Sequence, residues 1–342
     1  MNKDKFYRVL KFSTISVAIF SIIFLLFCFF LKFHRSQSSQ KQDHSQEVIE
    51  KDFADDPDDK IINIFYSADD FNALATCVSM ASVLKNVSKD KEINFYIVYL
   101  DDKKFNDENM SKIESLKTKI RDFKLHFISF DSNKLSNFDK QDWHASILIK
   151  LWAPSLFPNI KRILWLDDDV IILKNIDEFY SQDLSEKYLA AVDISSYYNK
   201  YFGEYKNSRY WITAGVGLYN LQELRKDKIQ DKLIECAKKY AYQNMSDEEK
   251  KEILGGVEEY ALTNVIKKEK AILLPYRYCI MCFLDVFGKG HFKSEEEEIK
   301  KSIAMHFSGA WKPWKGRVGI LDYYYEFWEK YFKLTPYYKK IE

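Results

Sequence analysis

Three consecutive aspartates, Asp167, Asp168 and Asp169, interrupt the apolar stretch RILWLDDDVIIL. Ile163–Leu166 before them and Val170–Leu173 after them read as buried strand, so the carboxylates must gather where a strand ends. Like charges this crowded oppose one another unless solvent or a cation relieves them. Carboxylate oxygens with open coordination positions suit Mg²⁺ or Mn²⁺, and such an ion bridges the phosphates of a nucleotide. The bland alternative for an aspartate run is a solvated acidic loop. A second element, MHFSGAWKPWKG at Met305–Gly316, supplies an imidazole, His306, and an ammonium, Lys312, fixed before Pro313. In this reading His306 completes a metal shell, and Lys312 neutralises a diphosphate leaving group as a point charge. By itself, a histidine before an aromatic residue is an ordinary structural feature.

The elements that must position these groups follow from periodicity. IINIFYS at Ile61–Ser67 reads as a short buried strand, and ALATCVSMASVL at Ala73–Leu84 as a helix after it. A second strand is expected at Ile93–Leu100, a polar helix around Glu108–Ile120, and a third strand at Lys124–Phe130. Strands alternating with helices argue for a parallel sheet covered on both faces, and in such sheets the ligand crevice lies outside the carboxyl ends of the strands. Ala145–Leu156 and Leu224–Tyr240 read as helices, Tyr188–Ile194 and Thr213–Leu221 as further strands, and DYYYEFWEKYF near the C-terminus as a surface-packing helix.

With 342 residues, 46% of them hydrophobic and 16% aromatic, the chain has material for a sizeable core, which excludes disorder throughout. A net charge of +1 and the lack of any Arg/Lys block argue against nucleic acid as a partner. Five cysteines, scattered and with Cys28 inside an apolar run, do not make a disulfide scaffold. Phe12–Leu31 carries no charge and at ~1.5 Å rise per residue matches the ~30 Å hydrocarbon core. It reads as a signal anchor rather than a cleavable signal peptide, since no small-x-small cleavage site follows. The expected organisation is a cytoplasmic tail at 1–11, a transmembrane anchor at 12–31, a disordered stem at 32–60 and a lumenal domain at 61–342. Lys3, Lys5, Arg8 and Lys11 outnumber Lys32 and Arg35, which favours the N-terminus inside. Sequons at Asn86, Asn109 and Asn244 would then face the lumen.

IFYSADDFNALATCVSMASVLKN, KRILWLDDDVIILKNIDEFY, AAVDI, AGVGLYNL and HFSGAWKPW occur in an order and spacing that resembles the family 8 retaining glycosyltransferases, from about Ile61 to Gly316. That resemblance implies a glycosyltransferase-A type α/β fold with a mixed, mostly parallel central sheet flanked by helices. It also implies a UDP-sugar donor, Mn²⁺ or alternatively Mg²⁺, retention of configuration, and a glycan or glycoprotein acceptor. With the anchor, it implies a single-pass type II protein of the Golgi or endoplasmic reticulum membrane. Matched position by position, Asp167, Asp169 and His306 are the metal ligands, and Lys312 binds phosphate and aids catalysis. Ala68, Asp69, Lys150, Asp168 and Gly309 are assigned to the nucleotide-sugar, with Asp69 facing the uracil ring. Glu259 and Asp193 are the carboxylates expected at the transferred sugar. The chain departs from the family pattern at Lys150, where arginine is usual, at Thr213, in place of asparagine, and at Glu258-Glu259, in place of Asp-Gln. Lysine keeps the charge of arginine but loses its fork of donors.

Two other readings compete. A pseudoenzyme would keep the fold and UDP/Mn²⁺ binding without transfer, as Thr213 and Glu259 suggest. A structural or adhesive type II protein would use the aspartates for Ca²⁺, but such a site has no use for Lys312.

Overall fold

The computed structural model describes residues 60–138, 145–195, 210–241, 244, 246, 256–282, 297, 299–309, 311–316 and 322–339. The expected anchor and stem lie outside these residues except for Lys60. Among the described residues, no helix is long and apolar enough to cross a membrane.

The first half alternates strand and helix as the sequence suggests. Strand β1 (Ile61–Ser67) leads to helix α1 (Ala73–Asn86), β2 (Glu92–Leu100), α2 (Asp107–Glu114) and β3 (Lys124–Phe130). The polar helix expected over Glu108–Ile120 is broken: a separate short turn, Leu116–Lys119, follows Ser115. Ser115 Oγ donates to Lys112 O at 2.7 Å, a side-chain bond that competes with helix continuation. Ala145–Leu156 is mostly a 3₁₀ helix, Ala145–Trp152, with one α turn, Ala153–Leu156, that carries Pro154 in its first turn.

β4 (Arg162–Leu166) and β5 (Val170–Ile172) flank the aspartates, and β6 (Leu189–Asp193) and β7 (Ile212–Asn220) follow. The helix expected over Leu224–Tyr240 is two: Leu221–Lys226 and α3 (Ile229–Lys239), with Lys228 between them in left-handed backbone at φ 51°. α4 (Val257–Val265), β8 (Ala271–Leu274), β9 (Ile280–Met281), β10 (Ala304–His306) and α5 (Asp322–Phe332) complete the series.

Seven strands form the main sheet in the order β3-β2-β1-β4-β7-β6-β8. It is mixed rather than parallel throughout, because β7 runs antiparallel to both β4 and β6 while the other pairs are parallel. Alternation along β1 sends Ile62, Ile64 and Tyr66 into a core under α1, and Phe65 into a second core under Ala145–Trp152, α3 and α4. Both faces are therefore buried, which explains why these strands read as near-continuous apolar runs.

A second sheet, β5-β10-β9, is built from strands of only two or three residues. It packs with Val78 of α1 against Tyr324, Trp328 and Tyr331, so the aromatic helix α5 closes a third core rather than lying on the surface alone. Asn86 ties the parts together: its amide donates to Ser82 O and Ile172 O at 2.8 Å and to Tyr331 Oη at 2.9 Å. The Asn109 amide is similarly engaged, donating to Asp70 Oδ1 at 2.9 Å while its oxygen accepts from Tyr337 Oη at 2.6 Å. Both residues are half-buried, and in this fold both amides are engaged in hydrogen bonds.

Candidate metal and nucleotide site

β4 ends in the core at Leu166, and the chain turns through the three aspartates with Val170 N donating to Asp167 O at 3.1 Å. β5 then enters the small sheet, where Val170 lies opposite His306 of antiparallel β10. Phe307 N donates to Asp169 O at 3.0 Å and fixes the same register one residue farther. Two very short strands thus bring residues well over a hundred positions apart to one place.

One ligand atom from each of Asp167, Asp169 and His306 lies within 4.8 Å of the others. His306 Nε2 is 3.1 Å from Asp169 Oδ1 and 3.8 Å from Asp167 Oδ2. Gly215 of β7 lies against the imidazole: a Cβ there would stand 2.4 Å from His306 Cε1 and Nδ1. His306 Nδ1 is buried and makes no hydrogen bond among the described residues.

Each of the outer aspartates is held by a lysine. Lys312 Nζ donates to Asp169 Oδ2, and to Phe307 O at 2.8 Å. Lys150 Nζ donates to Asp167 Oδ1 at 3.0 Å and to Ala214 O at 2.8 Å, with its side chain fully buried at 0% exposure. Its ammonium thus faces Asp167 and the backbone of β7. Trp165, which sequence reading passed over, donates its Nε1–H to the same Asp167 Oδ1 at 2.8 Å.

Asp168 is half-buried and does not join the ligand group. Burial first, and then Asp169 and Asp167, push its carboxyl well above the usual carboxylate range. Burial would raise Asp169 as well, but Lys312 and His306 outweigh it and hold that carboxyl below the usual range. For His306 and Lys312 burial works against the charge, and Asp169 overcomes it, so both are raised. Adjacent carboxyls driven in opposite directions mark a place where charge is managed, as functional sites do.

The remaining expected residues are placed as follows. Asp69 caps a 3₁₀ turn, its Oδ1 accepting from Phe71 N at 3.0 Å and Asn72 N at 3.3 Å, and its charge reaches Asp168. Ala68 N donates to Val98 O at 3.1 Å, extending the pairing of β1 with β2 by one residue. Gly309 takes φ 82°, a conformation that glycine adopts readily. Glu259, at the start of α4, accepts from Ala214 N at 2.8 Å, and burial raises its carboxyl. Burial also lifts neighbouring Glu258, to about 7, with Lys150 opposing and Glu259 adding to the shift. Thr213 Oγ1 accepts from Gly215 N at 3.2 Å, so its hydroxyl braces the strand. Asp193, at the end of β6, engages backbone: Ser195 N at 2.9 Å and Trp211 N at 3.4 Å.

Of the residues that sequence reading missed, Gly215 had a signal in AGVG, a glycine inside a strand pattern, which marks close approach of another group. Trp165 had none beyond its apolar surroundings.

Comparison with known proteins bears on this arrangement. The chain is 29% identical over 204 residues to a putative glycosyltransferase of Haemophilus influenzae, covering 57% of this chain and 59% of that one. It is 23% identical over 204 residues to probable galacturonosyltransferase 10 of Arabidopsis thaliana, covering 55% of this chain and 34% of that one. The chain thus spans a third to three fifths of the length of these curated relatives. Among solved structures, a galactosyltransferase, LgtC, in complex with donor and acceptor sugar analogues shares the fold, with a TM-score of 0.61 at 18% identity over 82% of this chain and 98% of that one. The fold is therefore α/β of the glycosyltransferase-A kind. The profile of Glycosyl transferase family 8 matches residues 63–317, a span that contains every candidate site residue described above, and the chain belongs to that family.

Proposed function

We propose that this protein transfers a glycosyl group from a UDP-sugar to a glycan or glycoprotein acceptor with retention of configuration, using Mn²⁺ or, in its place, Mg²⁺. The observation that carries the proposal is the convergence of Asp167, Asp169 and His306 beside Lys312 at the end of β4. Two carboxylates and an imidazole nitrogen form a donor set that suits Mn²⁺. The space kept by Gly215 accommodates the imidazole, whose Nε2 faces both aspartates. When bound, the ion supplies positive charge to the diphosphate.

The chain's own residues do the rest. Lys312 offers its ammonium to the departing diphosphate, which gains charge as the bond to the sugar breaks. Asp69 orients the nucleoside, with Ala68 and Gly309 contributing backbone. Glu259 is held through one oxygen by Ala214 N–H, and with Asp193 it presents a carboxylate toward the transferred sugar. We read Phe12–Leu31 as a signal anchor that places the domain in the lumen of the Golgi or endoplasmic reticulum.

The test uses the purified full chain. Mn²⁺ uptake is followed by electron paramagnetic resonance, and a panel of UDP-sugars is screened for Mn²⁺-dependent hydrolysis. Binding and turnover are expected, with both lost in Asp167→Asn, Asp169→Asn and His306→Ala, while Asp168→Asn is better tolerated. Binding of UDP and Mn²⁺ without turnover of any sugar would favour the pseudoenzyme, and full activity in the outer aspartate variants would overturn the metal assignment.

A further inference from the structure

We infer that Trp165, acting together with Lys150, is a positioning residue that fixes which oxygen of Asp167 is presented to the cation. The inference rests on the metal reading proposed above. Trp165 lies in β4 two residues before Asp167, and its indole N–H and the Lys150 ammonium both donate to Oδ1, at 2.8 and 3.0 Å. The oxygen left over, Oδ2, is the one 3.8 Å from His306 Nε2. A carboxylate's terminal torsion is soft and two-fold, so without these donors the two oxygens would exchange roles.

The second half of the device concerns Lys150 itself. An ammonium is a point charge on a flexible stem, and it lacks the rigid fork of an arginine. Here Asp167 Oδ1 and Ala214 O take two of its directions, and the face of Trp165 lies 4.2 Å from Nζ. A cation over an indole face is attracted by the ring quadrupole, most strongly where water is absent. Trp165 therefore serves Asp167 directly through its edge and indirectly through its face, holding Lys150 in place.

The tryptophan is in turn fixed by the sheet. It lies in register with Phe65 of β1 and Gly217 of β7, and its ring meets that of Phe65 edge-on at 4.6 Å. Packing alone would account for an apolar ring at this position. It does not account for a buried N–H directed at the carboxylate of a candidate ligand. Partners of metal ligands typically alter metal affinity about 10–100-fold when removed.

Trp165→Phe keeps a ring against Phe65 and beneath Lys150 while deleting the N–H. In the full chain, it is expected to raise the Mn²⁺ dissociation constant about 10-fold by electron paramagnetic resonance, with turnover largely recovered at excess Mn²⁺. Lys150→Met removes the other donor to the same oxygen and is expected to weaken Mn²⁺ in the same direction. Circular dichroism melts confirm folding. If Trp165→Phe folds and binds Mn²⁺ as tightly as wild type, the inference is overturned; a loss of turnover that excess Mn²⁺ does not recover has the same meaning, since it would report packing. Should Trp165→Phe fail to fold, Lys150→Met decides, and unchanged affinity there overturns the inference. Failure of the wild type to take up Mn²⁺ defeats the proposed function itself, whereas unchanged affinity in the variants defeats only the role given to Trp165.

Discussion

Gly215→Ala tests the proposed metal site separately from the fold around it. A Cβ at Gly215 would stand 2.4 Å from His306 Cε1 and Nδ1 and 3.2 Å from Nε2. Carbon atoms rest about 3.5–4 Å apart, so the ring must retreat by roughly 1 Å or swing away. The strand cannot yield in its place: Gly215 O accepts from Asp167 N at 2.9 Å, and β7 is paired with β4 and β6 on either side. Misplacement of a reacting group by about 1 Å costs on the order of 10²-fold in rate, equivalent to about 2.7 kcal/mol. Crowding a packed site costs about 1–3 kcal/mol of stability. Gly217→Ala is the internal control: it lies on the same face of β7, and its added Cβ meets nothing closer than Ala190 O at 3.8 Å. Mn²⁺ binding, UDP-sugar hydrolysis and melting are measured for both variants. Gly215→Ala should lose about 10²-fold in turnover together with tight Mn²⁺ binding, and Gly217→Ala should lose little. Equal behaviour of the two would refute the claim that Gly215 makes room for a working His306.

Lys312→Met is expected to lower turnover by about 10²–10³-fold while changing affinity for intact UDP-sugar far less, because the diphosphate gains charge only as it departs; steady-state kinetics on the purified variant decide. Asn86→Ala removes an amide with three acceptors, Ser82 O, Ile172 O and Tyr331 Oη, and should cost about 2–3 kcal/mol in urea unfolding, against no change if these bonds are incidental. Glu258 rises from 4.5 to about 7 through burial, so between those pH values the unfolded chain ionises this group and the folded chain does not. Stability from the neutral acid is thus complete below pH 4.5 and lost as pH rises through 7, by about 3 kcal/mol, and Glu258→Gln should match wild type in melts at pH 4 and exceed it at pH 8.

What the sequence allowed to be read followed the length of each signal. β1, β2, β3 and α1 carry runs of seven to fourteen residues, and their apolar patterns place them to within a residue or two. The aspartates were legible as a strand-end cluster because apolar segments flank them. The small sheet was not: β9 and β10 have two and three residues, too few for any periodicity, and their pairing depends on the folded chain. The break at Lys228 was equally hidden, since no glycine or proline marks the left-handed residue. Lys150 entered only through the resemblance, and the fold alone identifies Asp167 as its partner. The reversal of β7 was lost because β7 is apolar on both faces like its parallel neighbours.

The charge inventory of the site argues that it is built for use and not for stability. Asp167, Asp168, Asp169, Glu258 and Glu259 gather around two ammonium groups, Lys150 and Lys312, and the imidazole of His306. Apolar residues of the same volume would hold a core together as well or better, because desolvating ions costs several kcal/mol each. The cluster meets that cost unevenly: burial raises Asp168 and Glu258 toward their neutral forms, and the nearby cations keep Asp169 ionised. Asp169 thereby stays ionised on the turn after β4, where the proposed cation would bind. The neutralising groups come from separate parts of the chain, Lys150 from the 3₁₀ helix before β4, His306 from β10 and Lys312 from the segment beyond it. Only the assembled fold brings them to the aspartates. Mn²⁺ binding is therefore expected to raise the melting temperature of the whole domain by mass action, and an unchanged melt at saturating Mn²⁺ would show that the cluster is not the cation site proposed here.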